Sequence, residues 1–335
     1  MTRRNPAFVL VLAIFFIALM GILVTRMVTR VMIFQRLNTI LLDREQAKLL
    51  AWSGVEIARA RLLEEMPPIK KGENEIVQKI LFEIKKVMTI VNHWIPYNFT
   101  EAVDGINGAC SIYITCEGGK LSANAFYDLQ KKQSSQTPGL DIINRSISNF
   151  LAPWGRSIDL SQRVGNLIKA KGEKEIDDIT ELLADEQLKK LSHVLFIEPE
   201  RTFALSDLLS VDRPGTLLQL WALSRSVADL FKLKPTGKMS AEDWKLLEHA
   251  LVYEPAGPSV WEKVLRVVYG EKHPPIPTEL YPLFNQKFEA EHFSVISYGT
   301  YNNITVKVYV LLQRQRILIA DKESDQFFIR KVYWI

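Results

Sequence analysis

From Ala7 to Val24 the chain reads AFVLVLAIFFIALMGILV, 18 residues without a charge and with a single Gly. At ~1.5 Å per residue this run covers most of a ~30 Å hydrocarbon core, and the apolar residues after Thr25 complete a span. Arg26 and Arg30 follow one turn apart, where their aliphatic stems can carry the guanidinium groups to the interface. A retained single-pass anchor fits this pattern. A cleaved secretory signal requires a shorter apolar run and a small-x-small site, which Thr25-Arg26-Met27 does not supply. Arg3-Arg4 lacks the further residues of a twin-arginine signal. With arginine on both flanks, charge alone leaves the orientation open.

The pattern beyond the anchor stays helical. No Pro lies between Pro6 and Pro67, and Arg26 to Glu65 is rich in Leu, Ala, Glu, Gln and Arg. One helix of nearly 60 residues, ~85 Å long, is predicted, ending at Pro67-Pro68. Its outer half carries small residues at Ala47, Ala51, Gly54 and Ala58, spaced 4, 3 and 4. Such a stripe admits close approach of another backbone, from a partner chain or from the chain's own globular part.

After this helix, apolar residues at Ile76, Val77, Ile80, Leu81, Ile84, Val87 and Met88 predict an amphipathic helix over Glu73 to Met88. Cys110-Ser-Ile-Tyr-Ile-Thr-Cys116 alternates as a strand with Cys110, Ile112, Ile114 and Cys116 on one face. Extended chain separates the two sulfurs by ~20 Å, so buried thiols rather than a disulfide are expected. Gly118-Gly119 marks a turn, and Asn124 is a candidate N-cap. From about Ser134 to Pro277 helical stretches dominate: Leu140–Phe150, Lys174–Leu195, Thr216–Leu233, Ala241–Val252 and Val260–Tyr269. Ser240 with Asp243 forms a loose capping box for the fourth. Strands return at Phe293–Ser297, Ile304–Leu312 and Phe327–Ile335, three antiparallel strands with one polar face. The fold class is therefore α+β, with strands flanking an all-α insertion and a long helix before both.

Composition narrows the classes. The 335 residues are 47% hydrophobic and 24% charged, which excludes wholesale disorder. Lys+Arg 42 against Asp+Glu 38 gives +4, with Arg3 and Arg4 supplying two positive charges, so no basic face for nucleic acid is indicated. Two Cys are too few for a disulfide scaffold. His93, His193, His249, His273 and His292 are scattered outside metal-ligand spacing, and H-E-x-x-H, C-x-x-C and G-x-S-x-G are absent. Thr236-Gly-Lys-Met-Ser240 is a poor phosphate loop, lacking the leading Gly and carrying Met239 in the hydroxyl position. The acidic runs Glu173–Glu181 and Asp321–Asp325 lack EF-hand spacing and read as solvated faces. No catalytic residue and no metal ligand is nominated.

A short basic leader, an uncharged apolar helix and a long amphipathic continuation resemble a type IV pilin-like subunit. More narrowly, the chain resembles the K-type minor pseudopilins of bacterial type II secretion systems. Phe8 to Leu63 carries this, with Ala18-Leu-Met20, Asp43-Arg-Glu-Gln-Ala47 and Ala51-Trp-Ser-Gly54. So does Ile112-Tyr-Ile-Thr-Cys-Glu-Gly-Gly-Lys-Leu-Ser-Ala-Asn124, similar to a family pattern in which I-x-I-x-D-E precedes S-G-K and an Asn-rich stretch. Here Cys116 replaces the Asp and Ser122 the first Asn. A closing hairpin whose last strand ends in Trp334 completes the likeness.

The resemblance implies a non-enzymatic, mechanical role at the tip of a short periplasmic fibre. Implied partners are the I- and J-type minor pseudopilins, the major pseudopilin, a prepilin peptidase and an inner-membrane assembly platform. The globular part would lie in the periplasm behind an inner-membrane anchor. The implied organisation is a leader 1–7, an N-terminal helix 8–65 with its anchor in 8–30, a pilin-like part 66–133, a helical insertion 134–277 and closing strands 278–335. Processing would cut between Ala7 and Phe8, where the usual Gly is replaced by Ala, with methylation of Phe8. Leu12 would then be the fifth mature residue, where most pilin-like subunits carry Glu and the K-type does not. Leu12, Ala47, Ala51, Gly54 and Ala58 are the assembly candidates. Some relatives of this type bind calcium, with no ligand assignable here; no other cofactor is implied. A membrane-anchored enzyme with its site in the helical part, and a single-pass receptor or scaffold, are the competing classes.

Overall fold

In a computed structural model of the chain, the described residues are 6–64, 75–128, 133–134, 139–151, 158–191, 195–198, 203–212, 218–234, 239–252, 258–270, 276–285, 290–319 and 322–335. Helix α1 runs over Pro6–Leu62, 57 residues without a break, or ~85 Å. Pro6 opens it at the one position where a missing N–H is harmless. The Pro67-Pro68 stop lies outside the described residues, and Leu63 N still donates to Arg59 O at 3.0 Å. In the apolar half, Thr25, Thr29 and Thr39 return their hydroxyls to carbonyls four residues back, at 2.8, 2.9 and 3.1 Å. No threonine donor in that stretch is left facing apolar surroundings. Helix α2, Glu75–Ile90, follows the predicted amphipathic period.

Five antiparallel strands build one sheet in chain order. They are β1 (Trp94–Phe99), β2 (Gly108–Cys116), β3 (His292–Tyr301), β4 (Ile304–Ile319) and β5 (Lys322–Trp334). Strand β1 was not legible in the pattern, because Pro96 and Asn98 interrupt its alternation. As an edge strand it tolerates Pro96, whose missing donor affects one side only. Strands β3 and β4 join through Asn302-Asn303, with Asn302 at φ 50° in the left-handed region that such two-residue turns require. Gly299 sits inside β3 opposite Val306.

The register puts Ile112 opposite Ser297, Ile114 opposite Val295 and Val295 opposite Val310. With Cys110, Cys116, Val308 and Leu312, these residues form the sheet face that meets Ala51, Val55, Ala58 and Leu62 of α1. Both cysteines are buried and outside any disulfide, and burial raises the Cys110 thiol to about 11. The contact is unusually close. A Cβ on Gly54 would overlap the Ser297 side chain, and a Cβ on Gly299 would overlap backbone atoms of Ala47 and Ala51. Arg59 Nη2 donates to Phe327 O at 3.0 Å, and Trp52 stacks on Trp334 with ring centroids 6.3 Å apart. Asn302 Nδ2 reaches Asp43 Oδ1 at 3.1 Å, near the start of the contact.

The opposite face is not the polar one expected. Tyr113, Ile296, Tyr309 and Leu311 are buried there with Ile197 and Ala204 of the insertion. Lys307 escapes sideways to Glu198 at 2.8 Å. Sheet neighbours β2 and β3 are separated in sequence by residues 117–291, so the inserted segment is longer than the stretch of helical character. Three predicted helices form, as α3 (Leu140–Leu151), α5 (Ala241–Val252) and α6 (Pro258–Tyr269). The capping box is made: Ser240 N donates to Asp243 Oδ2 at 2.8 Å and Asp243 N to Ser240 Oγ at 3.1 Å.

Helix α4 (Leu160–Ala170), capped by Asp159, was missed. Two predicted helices do not form. Within 174–195, Asp178 and Asp185 accept from the next turn's backbone and start separate short turns at Ile179–Ala184 and Glu186–Lys189. Within 216–233, Leu218-Gln219 pairs with Phe284-Asn285, and Ser224 starts a short helix at Arg225–Leu230. Asn124 caps nothing. Its amide brackets Ile176, accepting from N at 2.9 Å and donating to O at 3.0 Å.

Replacing Gly299 by Ala forces β3 away from α1. The expected loss is about 3 kcal/mol, read as a lower midpoint in denaturant unfolding of the detergent-solubilised chain; an unchanged midpoint contradicts the close contact.

Candidate functional site

Two features stand out from ordinary packing, one outside the globular part and one inside it. The first is the surface of α1. Every large hydrophobic side chain from Leu10 to Leu42 is exposed, and burial begins only at Ala47. Among the described residues, α1 is the one helix long and apolar enough to cross a membrane. Leu12 is 47% exposed on it. Ala7 and Phe8 lie in its first turn. The stripe has a different destination. Ala47, Ala51 and Ala58 are fully buried, and Gly54 meets Ser297 and Ile112. These four lie in the chain's own helix–sheet contact, so of the five assembly candidates Leu12 alone is on open surface.

The second feature is a polar knot between the sheet and the insertion. Glu117–Gly119 forms a single 3-10 turn directly after β2, which carries Lys120 back over the end of the strand. Lys120 is 1% exposed, and its three ammonium protons are all placed. They go to Glu117 Oε1 at 2.5 Å, Ser294 Oγ of β3 at 2.6 Å and Ser206 O at 2.7 Å. Next to it Asp207, 2% exposed, accepts from Thr115 Oγ1 of β2 at 3.2 Å and from Ser226 N at 2.8 Å. Ser224 Oγ donates to Asp207 O, and Ser224 N to Gly119 O at 3.0 Å. Two strands and three pieces of the insertion therefore meet on a handful of buried polar atoms.

Electrostatics follows from burial. Desolvation opposes the charged ammonium of Lys120, but Glu117, Tyr309 and Asp207 outweigh it and hold its pKa above the ordinary lysine value. Desolvation holds the Asp207 carboxyl above the usual carboxylate range, with Lys120 pulling the other way.

Other candidates resolve into structure. His93 Nδ1 lies 3.0 Å from Val91 O, and burial lowers the pKa of His292; His193 and His273 lie outside the described residues. Ser240 of the poor phosphate loop is a helix cap, and 235–238 lie outside the described residues. Lys171 pairs with Asp177 at 3.1 Å and Glu181 at 2.7 Å. Arg314 joins Glu83 at 2.8 Å and also Asp325; Asp321 is outside the described residues. Among the described residues no three His, Cys, Asp or Glu side chains cluster to hold a metal ion. Calcium does not fit at the motif end of β2, where Cys116 takes the place of an acid and Glu117 already faces the Lys120 ammonium.

Lys120 and Asp207 were not singled out in the sequence. Glu117 and Lys120 stand inside the stretch that carries the family resemblance, and a Glu and Lys three apart around Gly-Gly after an apolar strand was the available signal. Asp207 gave none. Its partners are distant in sequence.

No protein-family model matches the chain, and no curated protein matches it. Among solved structures, the chain is similar to one in the crystal structure of the GspK-GspI-GspJ complex from the enterotoxigenic Escherichia coli Type 2 Secretion System. The similarity covers 91% of this chain and 99% of that one, at 11% identity and a TM-score of 0.37.

The knot sets two expectations. Lys120→Met leaves two buried carboxylates without their cation and should lower stability by ~3–5 kcal/mol. Asp207 binds its proton more tightly folded than unfolded, so its contribution favours the fold below about pH 4 and is lost as pH rises toward the folded-state pKa. Asp207→Asn should flatten that part of the profile in unfolding midpoints taken from pH 4 to 8. An unchanged slope would remove Asp207 as its source.

Proposed function

We propose that this chain is a K-type minor pseudopilin, a non-catalytic subunit at the tip of the periplasmic fibre of a type II secretion system. The observation that carries the reading is the excess length of exposed apolar helix. Leu10 to Leu42 is roughly 33 residues, ~50 Å of helix, with its large side chains bare. A bilayer covers ~30 Å of that. Phe34, Leu37, Ile40, Leu41 and Leu42, 53–66% exposed, then lie where lipid no longer reaches, and side chains of that size need cover from other helices. A membrane-anchored enzyme or receptor needs only the spanning part. A fibre built from bundled N-terminal helices needs both.

Two sequence features refine the reading. Cleavage between Ala7 and Phe8 leaves Leu12 as the fifth residue. A Glu there would hold a carboxylate in the bilayer at ~2.5–3.5 kcal/mol by insertion scales, repaid where it meets the N-terminal amine of the subunit ahead. A subunit with nothing ahead of it has no such amine, so Leu suits the tip. The inserted segment, 117–291, is also too bulky for a repeating fibre position. The I- and J-type minor pseudopilins are the neighbours this arrangement implies, with the major pseudopilin below. The prepilin peptidase would act at Ala7-Phe8 before methylation, and the inner-membrane platform would drive assembly.

With Cys110 and Cys116 buried, Leu41→Cys supplies one reactive thiol on the uncovered surface. A benzophenone maleimide attached to that thiol and photoactivated in membranes should join it to the N-terminal helices of the I- and J-type subunits. Quantitative mass spectrometry should count far fewer copies than of the major subunit, with Phe8 at the N-terminus. Crosslinks to neither minor subunit, or copy numbers matching the major one, would sink the tip assignment. Leu12→Glu should reduce the assembled fraction.

A further inference from the structure

The polar knot encloses a cavity of about 10 Å³, close to the smallest volume that accommodates one water molecule. Its polar lining comes from Tyr113, Thr115, Lys120, Asp207, Ser294 and Tyr309, and Ile197 and Ile296 close it. Dry cavities in proteins are apolar, whereas polar ones of this size hold ordered water. Most of the residues around this one carry a polar side-chain group, while the surface they expose to it is mainly apolar.

One atom in it is unaccounted for. Tyr113 is 1% exposed, and its hydroxyl has no hydrogen-bond partner. Two neighbouring donors are committed: Lys120 to Glu117, Ser206 and Ser294, and Thr115 to Asp207. What is missing beside Tyr113 is a small group that accepts from a phenol and donates in turn to a carboxylate or hydroxyl oxygen. We infer that the cavity is a specific site for a single water molecule, which takes the Tyr113 proton and ties β2 to the insertion through Asp207 or to β3 through Ser294.

The alternatives fare worse on the same lining. A metal cation would sit beside the Lys120 ammonium, a like charge in a site without bulk water to screen it. An anion would meet the carboxylates of Asp207 and Glu117. An organic ligand does not fit the volume. Water is neutral, is of the right size and both donates and accepts, and two to four polar partners are what a buried water makes.

The inference does not depend on the pseudopilin reading. It is tested on the full chain, solubilised in detergent and crystallised. The expected map shows one oxygen peak in the cavity, 2.6–3.0 Å from Tyr113 Oη and from at least one oxygen of Asp207 or Ser294. An empty cavity in a map that shows other buried waters would overturn the inference, as would a peak with contacts near 2.3 Å, the signature of a metal ion. Unfolding of Tyr113→Phe supplies a second readout, because the sign differs. With water in place, Phe removes a satisfied hydrogen bond and the unfolding midpoint falls. With the hydroxyl left unsatisfied, Phe relieves it and the midpoint rises. A rise would overturn the water site without any crystal.

Discussion

The distance between α1 and the sheet is the constraint on which the rest depends. A helix usually packs with side chains holding its axis well away from its neighbour. Here Gly54 and Gly299 leave no room even for a methyl group, and Ala47, Ala51 and Ala58 fill the remaining contact. Backbones that approach this closely gain many small dispersion contacts, and they fix the helix in one register because any larger side chain would lift it off. That register decides which residues of α1 are covered and which stand free. Among the described residues Ala47 is the first buried one, and the helix from Leu10 to Leu42 projects with its apolar side chains exposed.

The second face of the sheet is held by different physics. Apolar contact from Ile197 and Ala204 covers the aromatic belt around Tyr113 and Tyr309, but the joint itself is a buried ion pair with a second carboxylate beside it. Ion pairs of this kind add little net stability over apolar packing, and they are costly to disrupt singly. What they supply is direction. Lys120 has three fixed acceptors, from its own turn, from β3 and from the insertion. The inserted segment is thereby seated in one orientation on the sheet.

The two faces thus divide the work. The α1 side transmits a rigid connection to the projecting apolar helix, whose uncovered length exceeds what a bilayer hides. The far side carries the inserted segment.

Periodicity and turn chemistry determined much of this by themselves. The unbroken run from the anchor to the Ala-Gly stripe dictated α1, since nothing in it stops a helix. The alternation over Ile304 to Leu312 dictated β4, and Ser240 with Asp243 dictated a helix start, because each signal is local and its partners lie within a turn or a pair of residues. Tertiary structure decided the rest. The stripe on α1 looked the same whether it served a partner or the chain itself, and only the position of Gly299, some 240 residues away, turned it inward. The polar-looking face of the closing strands was buried by residues of the insertion, which alternation within β4 cannot register. Lys174 to Leu195 carries apolar residues at helical spacing, yet Asp178 and Asp185 bind their own following backbone and divide it. Glu117 and Lys120 stood in view as a spacing. Their meaning came from Ser206, Asp207 and Ser294, which only folding brings to the end of β2, and burial there turns an ordinary surface pair into the joint of the molecule.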